Sequence, residues 1–193
     1  IGCEHLVSEE KAAAVARLAA QDASLYDQRG CNSPHTIFVE NGSTVSPEDF
    51  ARLLADAMAS ALTRYPKTPV SSADALRIMS LRTEYDMLGV ALYPDGNEWT
   101  VLYSNDDVGL ASPCFNRTLF VRPIDDAMEV AELCSRTTQS VGVAMAPERR
   151  EKFALSAISH GVDRCPIVGT MMAYESPWDG VFVADRMVRW AKL

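Results

Sequence analysis

The sequence predicts an α/β fold in which helices flank a mainly parallel sheet. Segments with the apolar spacing of helices alternate with short β-branched and aromatic runs, and this alternation is typical of parallel sheets. The run at residues 118–121 is apolar without a break, as strands buried on both faces are. The Pro-Asp-Gly-Asn sequence at residues 94–97 predicts a hairpin. We expect one domain over residues 1–193, with no internal repeat and no linker.

Capping residues and the period of the apolar residues predict the element boundaries. Ser8, followed by two glutamates, begins a helix over residues 7–26, and Ser46 with Pro47 begins a second over 46–65. A β-branched and aromatic run predicts a strand at residues 35–39 between them. Further helices are predicted at residues 72–84, 125–134, 147–160 and 181–193, and further strands at 88–93, 99–103, 118–121, 140–145 and 165–168.

Charge and cysteine usage restrict the class of partner. The net charge of −8 argues against nucleic acid and against an anionic membrane surface. No apolar run reaches the roughly 18 residues of a membrane span, and no signal peptide is visible. The 5 cysteines form no Cys-x-x-Cys pair, and the 3 histidines show no metal-ligand spacing with them. We therefore expect a cytoplasmic protein with free thiols and without a metal site.

The stretch YDQRGCNSPHTIFVE at residues 26–40 carries the candidate chemistry. It is typical of a helix end, a tight loop and a buried strand, with Cys31 in the loop directly after Gly30. Positive charge from Arg29 and free loop amides favour a thiolate, and the same amides stabilise an oxyanion. From these residues alone Cys31 is either a nucleophile or an ordinary loop thiol. His35 is either a base or an imidazole on the surface or in the core.

Several motifs occur along the chain in a recognisable order. Besides GCNSPHTIFVE and SPEDFARLL, these are YDQRGCNSPH, SPCFNRT, TQSVGVAM, GVDRCPIVGTM and SPWDGVFVADRMVRW. Together they resemble the long-chain fatty-acyl-CoA reductases, typified by the fatty-acid reductase of luminous bacteria, which are a branch of the aldehyde dehydrogenase superfamily. The resemblance covers essentially the whole chain, and it implies an aldehyde dehydrogenase-like catalytic domain.

The resemblance also implies a reaction and a set of site residues. Cys31 attacks the carbonyl of a long-chain acyl-CoA, or of another activated acyl donor, and expels coenzyme A. A nicotinamide cofactor, NADPH in this family, then reduces the acyl-thioester on Cys31 to a fatty aldehyde. Asn32 and Ser33 support the loop and the oxyanion, and Phe115 borders the nicotinamide. The family further implies a homo-oligomer or a multi-subunit complex.

Two departures from the family pattern limit the expected activity. Only 30 residues precede Cys31, and no Gly-x-Gly-x-x-Gly turn is present to hold a pyrophosphate. We therefore expect the C-terminal catalytic domain of a reductase, with the dinucleotide-binding domain absent from this chain and with no reduction by this chain alone. Aligning Phe115 with the family phenylalanine also places Pro113 where typical aldehyde dehydrogenases have the glutamate that holds the nicotinamide ribose.

The sequence leaves two other functions open. One is a short-chain acylating aldehyde dehydrogenase domain, which differs only in the size of its acyl pocket. The other is a non-catalytic oligomerisation or interaction domain, in which Trp190 packs between subunits. Arg117 is open in the same way, since it either meets a phosphate or carboxylate of a ligand or forms a salt bridge within the fold.

Overall fold

The computed structural model describes residues 1–106, 109–178, 180–189 and 191–192, and a four-stranded sheet lies at its centre. β4 is parallel to both β1 and β3, while β2 runs antiparallel to β3. The predicted α/β class with a mainly parallel sheet is confirmed, and the predicted hairpin is present as β2 and β3. The strands are β1 (Thr36–Glu40), β2 (Val90–Leu92), β3 (Thr100–Tyr103) and β4 (Thr118–Ile124), in the order β1-β4-β3-β2.

The three longest helices each begin at a serine, as capping predicts. The hydroxyls of Ser8, Ser46 and Ser71 each accept a hydrogen bond from a backbone amide of the first helical turn. These helices are α1 (Glu9–Ser24), α2 (Pro47–Ala61) and α3 (Ser72–Leu88), and α4 (Val130–Leu133), α5 (Pro147–Ser159) and α6 (Val183–Met187) follow. Short 3₁₀ turns occur at Cys3–His5, Leu25–Gln28 and Ala127–Glu129.

Helices cover both faces of the sheet. On one face, Val39, Val101 and Val121 belong to the main core together with the buried sides of α1 and α2. The buried side of α1 is largely alanine, which allows α2 to approach closely. On the other face, Phe38 joins a second core with Phe153 of α5. A third cluster there contains Tyr85 of α3, Leu102 and Phe120.

The predicted strands at residues 140–145 and 165–168 are wrong. These segments form only isolated parallel bridges, between Ser140 and Arg164 and between Val143 and Ile167. A strand needs a continuous ladder of backbone hydrogen bonds. Residues 140–145 instead line the same cavity as β1, and within the described residues no bridge joins the two.

Two predicted helices are shorter in the structure. The helix expected at residues 125–134 is a 3₁₀ turn followed by the single turn α4. Among the described residues of the helix expected at 181–193, only α6 is helical, and its Val183 and Met187 are exposed. Because an isolated amphipathic helix is marginal in water, a segment without a packing surface does not extend. Trp190 lies outside the described residues, and among the described helices none has the length and hydropathy to cross a membrane.

Candidate active site

The pairing of β1 with β4 brings two loops to the same end of the sheet. The loop before β1 carries Cys31, and the loop before β4 carries Phe115. The two strands are joined directly at this end, because the backbone N–H of Phe120 donates to the carbonyl of His35 over 2.9 Å. Cys31 is exposed there. The fold therefore presents the thiol beside the second loop, although the two are far apart in sequence.

Cys31 lies at the tip of a tight turn. The turn is closed by the backbone N–H of Ser33, which donates to the carbonyl of Gly30 over 3.1 Å. Within the described residues, the N–H groups of Cys31 and Asn32 donate no hydrogen bond. Free amides beside an exposed thiol can stabilise negative charge that develops on a carbonyl oxygen. Arg29, expected to favour the thiolate, is also exposed next to this turn.

The side chains of Asn32 and Ser33 are both buried but differ in their hydrogen bonds. Asn32 is 4% exposed, and its Nδ2 donates to the carbonyl of Met171 over 2.7 Å. The amide of Asn32 therefore anchors the turn. The hydroxyl of Ser33 is buried and has no partner in the described part of the chain. A buried hydroxyl without a partner is costly, so the Ser33 hydroxyl remains available to a ligand.

His35, at the end of the Cys31 loop, and Phe115 meet edge to face. Their ring centroids are 5.4 Å apart at an interplanar angle of 86°. Nδ1 of His35 is buried, and no described group bonds to it. Burial lowers the pKa of His35, so its imidazole is mainly neutral at pH 7. Phe115 is 40% exposed and offers an aromatic surface beside the Cys31 loop.

A cavity of about 330 Å³ adjoins the Cys31 loop. Its lining includes Cys31, Ser33 and His35, and most of the other lining residues are apolar. The apolar residues include Ile37, Phe38, Val130, Val141, Val143 and Phe153. The site thus combines an exposed thiol, unsatisfied polar groups and an adjoining apolar space.

Two runs of non-glycine residues in the left-handed region support these loops. Residues 26–28 have φ values of 53°, 51° and 61°, and residues 115–117 have values of 58°, 55° and 63°. Each such residue costs roughly 1–2 kcal/mol, so the surrounding contacts must hold it in place. The carbonyl of Asp27 accepts a hydrogen bond from the N–H of Asn116 over 3.1 Å, which joins the two runs. Strained backbone of this kind is concentrated at functional sites.

A buried ion pair between Asp27 and Arg117 connects the same two runs. Nε of Arg117 lies 2.6 Å from Oδ1 of Asp27, and Arg117 is 1% exposed. Burial raises the pKa of Asp27, but hydrogen bonds from Thr68 and the charges of Arg117 and Lys67 more than offset this, so the pKa is lowered. Of the two interpretations of Arg117, the structure shows the salt bridge within the fold.

Asp22 also belongs to this region, although no sequence motif singles it out. It is 1% exposed and accepts hydrogen bonds from the N–H of Gly169 over 2.6 Å and of Met171 over 3.2 Å. The carbonyl of Met171 also accepts the hydrogen bond from the side-chain amide of Asn32, so Asp22 connects α1 to the Cys31 turn through Met171. Burial raises the pKa of Asp22 to about 6 against these two hydrogen bonds. A carboxylate on the alanine-rich side of α1 was the only sequence signal for it.

One group of potential metal ligands lies away from Cys31. The donor atoms of Cys3, Glu4 and Glu40 lie within 4.8 Å of one another. However, Arg149 pairs with Glu4 over 2.9 Å and also pairs with Glu40. The guanidinium already supplies the positive charge that these carboxylates need, so the group is explained as an ion-pair cluster.

The comparisons with known proteins identify a family and a related fold. The family model described as acyl-CoA reductase (LuxC) matches residues 1–190. Among solved structures, the NAD-dependent aldehyde dehydrogenase from Burkholderia multivorans is similar with a TM-score of 0.63 and 16% sequence identity, over 88% of this chain and 35% of that chain. At this identity the likeness shows a shared fold, and the chain spans about a third of that dehydrogenase's length. No curated protein matches the chain.

Proposed function

Because the chain belongs to the acyl-CoA reductase (LuxC) family, we propose that it is the cysteine-bearing catalytic domain of a reductase, in which Cys31 accepts the acyl group of a long-chain acyl-CoA. The exposed thiol of Cys31, at the tip of a turn with unused amides, is the observation that carries this proposal. By contrast, Cys114 and Cys134 are buried, as thiols that only fill a core are.

The proposed acyl transfer exchanges one thioester for another. The thiolate of Cys31 attacks the carbonyl carbon of the acyl-CoA. A carbon–sulfur bond to Cys31 forms as the bond to coenzyme A breaks, and the coenzyme A thiolate leaves and takes up a proton from solvent. During the attack the carbonyl oxygen becomes negative. The N–H groups of Cys31 and Asn32 and the hydroxyl of Ser33 are available to stabilise it.

His35 supports the same step as a proton acceptor. Its lowered pKa keeps the imidazole neutral, and its buried Nδ1 has no partner among the described residues. A neutral imidazole beside the loop can take the proton of the Cys31 thiol as the thiolate forms. The proton then passes to solvent, and this release balances the proton that coenzyme A takes up.

The apolar lining of the adjoining cavity supports the binding of an acyl chain there rather than of a charged group. We propose a long-chain donor because the family resemblance favours it, and the short-chain alternative differs in the acyl group that fits. At equal concentration, a long-chain acyl-CoA should acylate Cys31 faster than a two-carbon acyl-CoA. A faster reaction with the two-carbon donor would favour the short-chain alternative.

The described helix N-termini do not fit a dinucleotide pyrophosphate. The first turns of α1, α2, α3 and α5 carry Glu9, Glu48, Asp74 and Glu148, which repel an anion where a phosphate would bind. NADPH supplies the reducing equivalents in the proposed complete reaction. We propose that residues outside this sequence bind it, with the exposed ring of Phe115 bordering the nicotinamide.

Intact-mass spectrometry after incubation with a long-chain acyl-CoA tests the proposal. We expect one acyl adduct on the wild-type chain and none on Cys31→Ala. Cys3→Ala is the matched control, because Cys3 is the other exposed thiol and should not matter. We also expect no NADPH-dependent aldehyde from this chain alone. A folded chain that forms no adduct, or one that Cys3→Ala abolishes, would contradict the proposal.

Ser33→Ala tests the contribution of the Ser33 hydroxyl apart from that of the backbone amides of the turn. Because this hydroxyl has no partner among the described residues, its removal should not lower thermal stability. An oxyanion donor of this kind contributes about 10²–10³-fold to rate, so acylation should slow by about that factor. Unchanged acylation would exclude Ser33 as an oxyanion donor and leave the backbone amides.

We further propose that the complete enzyme acts in the cytoplasm and is oligomeric. All 5 cysteines are free thiols, which fits a reducing compartment. Exposed apolar side chains near the C-terminal end support subunit packing, among them Tyr174, Phe182, Met187 and Val188. Light scattering of the complete enzyme tests the oligomeric state, and a monomer would contradict it.

A further inference from the structure

We propose that Asp27 is a positioning residue that holds the Cys31 turn against the loop carrying Phe115. This inference rests on the proposed acyl transfer to Cys31. Asp27 lies four residues before Cys31, inside the first left-handed run, and touches neither the thiol nor the cavity. Its effect on the reaction therefore has to pass through the loops that it joins.

The two loops are bonded through both the backbone and the side chain of Asp27. Its carbonyl accepts the N–H of Asn116 over 3.1 Å, and its Oδ1 accepts Nε of Arg117 over 2.6 Å. Asn116 and Arg117 directly follow Phe115 within the second left-handed run. A shift of Asp27 relative to Arg117 would therefore move Cys31 relative to Phe115.

The second carboxylate oxygen of Asp27 binds a third segment. Oδ2 accepts the N–H of Thr68 over 3.2 Å and also its hydroxyl, and Nζ of Lys67 lies 3.4 Å away. Arg117 reaches the same segment, since its Nη1 donates to the carbonyl of Tyr65 over 2.8 Å. The carboxylate is thus the point at which residues 26–28, 65–68 and 115–117 are held together. Neutralising the Asp27 carboxylate removes the anionic partner that Arg117 and Lys67 share.

Gln28 transmits this arrangement to both ends of the Cys31 loop. It is fully buried, and its Nε2 donates to the carbonyl of Pro34 over 2.7 Å and to that of Thr118 over 3.0 Å. Pro34 lies at the far end of the loop, and Thr118 is the first residue of β4. Because Gln28 directly follows Asp27, the position of Asp27 determines where the loop starts and where it rejoins the sheet.

The test compares Asp27→Asn with Glu40→Gln. Glu40 is a matched control because it is also a buried carboxylate paired with an arginine, Arg149, but it lies at the other end of β1. Two rates are measured at Cys31 by peptide mass spectrometry in the folded state: acylation by a long-chain acyl-CoA and alkylation by iodoacetamide. Acylation needs an oriented thiol, whereas alkylation by a small reagent needs mainly an exposed one.

We expect Asp27→Asn to lower the ratio of acylation to alkylation by about 10- to 100-fold, with alkylation itself faster because the turn is less constrained. Glu40→Gln should lower thermal stability but leave the ratio unchanged. An unchanged ratio in folded Asp27→Asn, or an equal fall in both variants, overturns the inference. If Asp27→Asn does not fold, Thr68→Val removes one hydrogen bond to Oδ2 and must lower the ratio in the same direction; an unchanged ratio overturns the inference.

The failure of the proposed function is a separate outcome. If wild-type Cys31 is not acylated, the proposed function fails, and the alkylation rate alone decides the role of Asp27. A faster alkylation in Asp27→Asn that Glu40→Gln does not share supports the coupling of the two loops. An alkylation rate equal to that of the wild type contradicts it.

Discussion

Replacing Asn32 with alanine distinguishes an anchor of the Cys31 turn from an oxyanion donor. In the structure the amide of Asn32 donates to the carbonyl of Met171 over 2.7 Å. When the Asn32 amide is removed, the carbonyl of Met171 still accepts a hydrogen bond from Nη1 of Arg164 over 3.3 Å. Leaving a buried group unpaired costs about 1–3 kcal/mol, and this remaining contact places Asn32→Ala in the lower half of that range.

The assay for Asn32→Ala combines urea unfolding with the rate of Cys31 acylation. If Asn32 is an anchor, Asn32→Ala should lower the free energy of unfolding and slow acylation only modestly, by about tenfold or less. The turn is then less constrained, but the substrate loses no oxyanion donor. Gln21→Ala is the matched control, since Nε2 of Gln21 donates to the carbonyl of Gly169 over 3.0 Å in the same segment. Gln21→Ala should lose similar stability without slowing acylation.

A different result would refute this account of Asn32. Unchanged unfolding with acylation slowed by about 10²–10³-fold is the signature of an oxyanion donor. The side-chain amide would then act on the substrate, and its hydrogen bond to Met171 would be secondary.

Three further predictions concern Gly30 in the Cys31 loop and the buried carboxylates of Asp22 and Glu40. A Cβ on Gly30 would lie 3.2 Å from Oγ of Ser33, so Gly30→Ala should slow acylation by about tenfold in the same rate assay. Burial raises the pKa of Asp22 to about 6 from 3.8, so the protonated carboxyl stabilises the fold at low pH, and this contribution is lost as the pH rises from about 4 to 6. In urea titrations over that interval, the free energy of unfolding of the wild type should therefore fall by about 3 kcal/mol relative to that of Asp22→Asn. Burial raises the pKa of Glu40, but Arg149 and two backbone amides bring it to about 2. The ionised carboxylate therefore stabilises the fold above about pH 4.5, and this contribution is lost as the pH falls toward 2. Glu40→Gln should lower the free energy of unfolding by about 3–5 kcal/mol at pH 7.

Each of these three predictions has its own contradicting result. Gly30→Ala acylated at the wild-type rate would mean that the turn adjusts without moving the thiol. Parallel pH curves for wild type and Asp22→Asn would exclude the raised pKa of Asp22. A loss below about 1 kcal/mol in Glu40→Gln would place the Glu40 pair among ordinary surface ion pairs.

The elements with local signals were predictable from the sequence. Serine caps at Ser8 and Ser46 predicted two helix starts because the cap acts within its own first turn. The hairpin followed from its turn residues, and the uninterrupted apolar run predicted β4. The loop that carries Cys31 was likewise marked by Gly30 and Pro34, and the structure places that thiol at the surface.

Features that depend on distant partners were not predictable. The left-handed backbone at residues 26–28 and 115–117 involves no glycine, so only the tertiary contacts between the two runs select it. Asp22 binds N–H groups 147 and 149 residues away, and a single sequence carries no sign of such pairs. The helix expected at 181–193 had the right apolar period but no described surface on which to pack.

The most direct test of the central claim is the identity of the bond that an acyl-CoA forms with this chain. After incubation with a long-chain acyl-CoA, tandem mass spectrometry should locate one acyl group on the peptide that contains Cys31, and neutral hydroxylamine should remove it, as it removes a thioester. An acyl group on Cys3 or on a lysine, one that resists hydroxylamine, or no acyl group on the folded chain would contradict the account of Cys31 as the acyl acceptor.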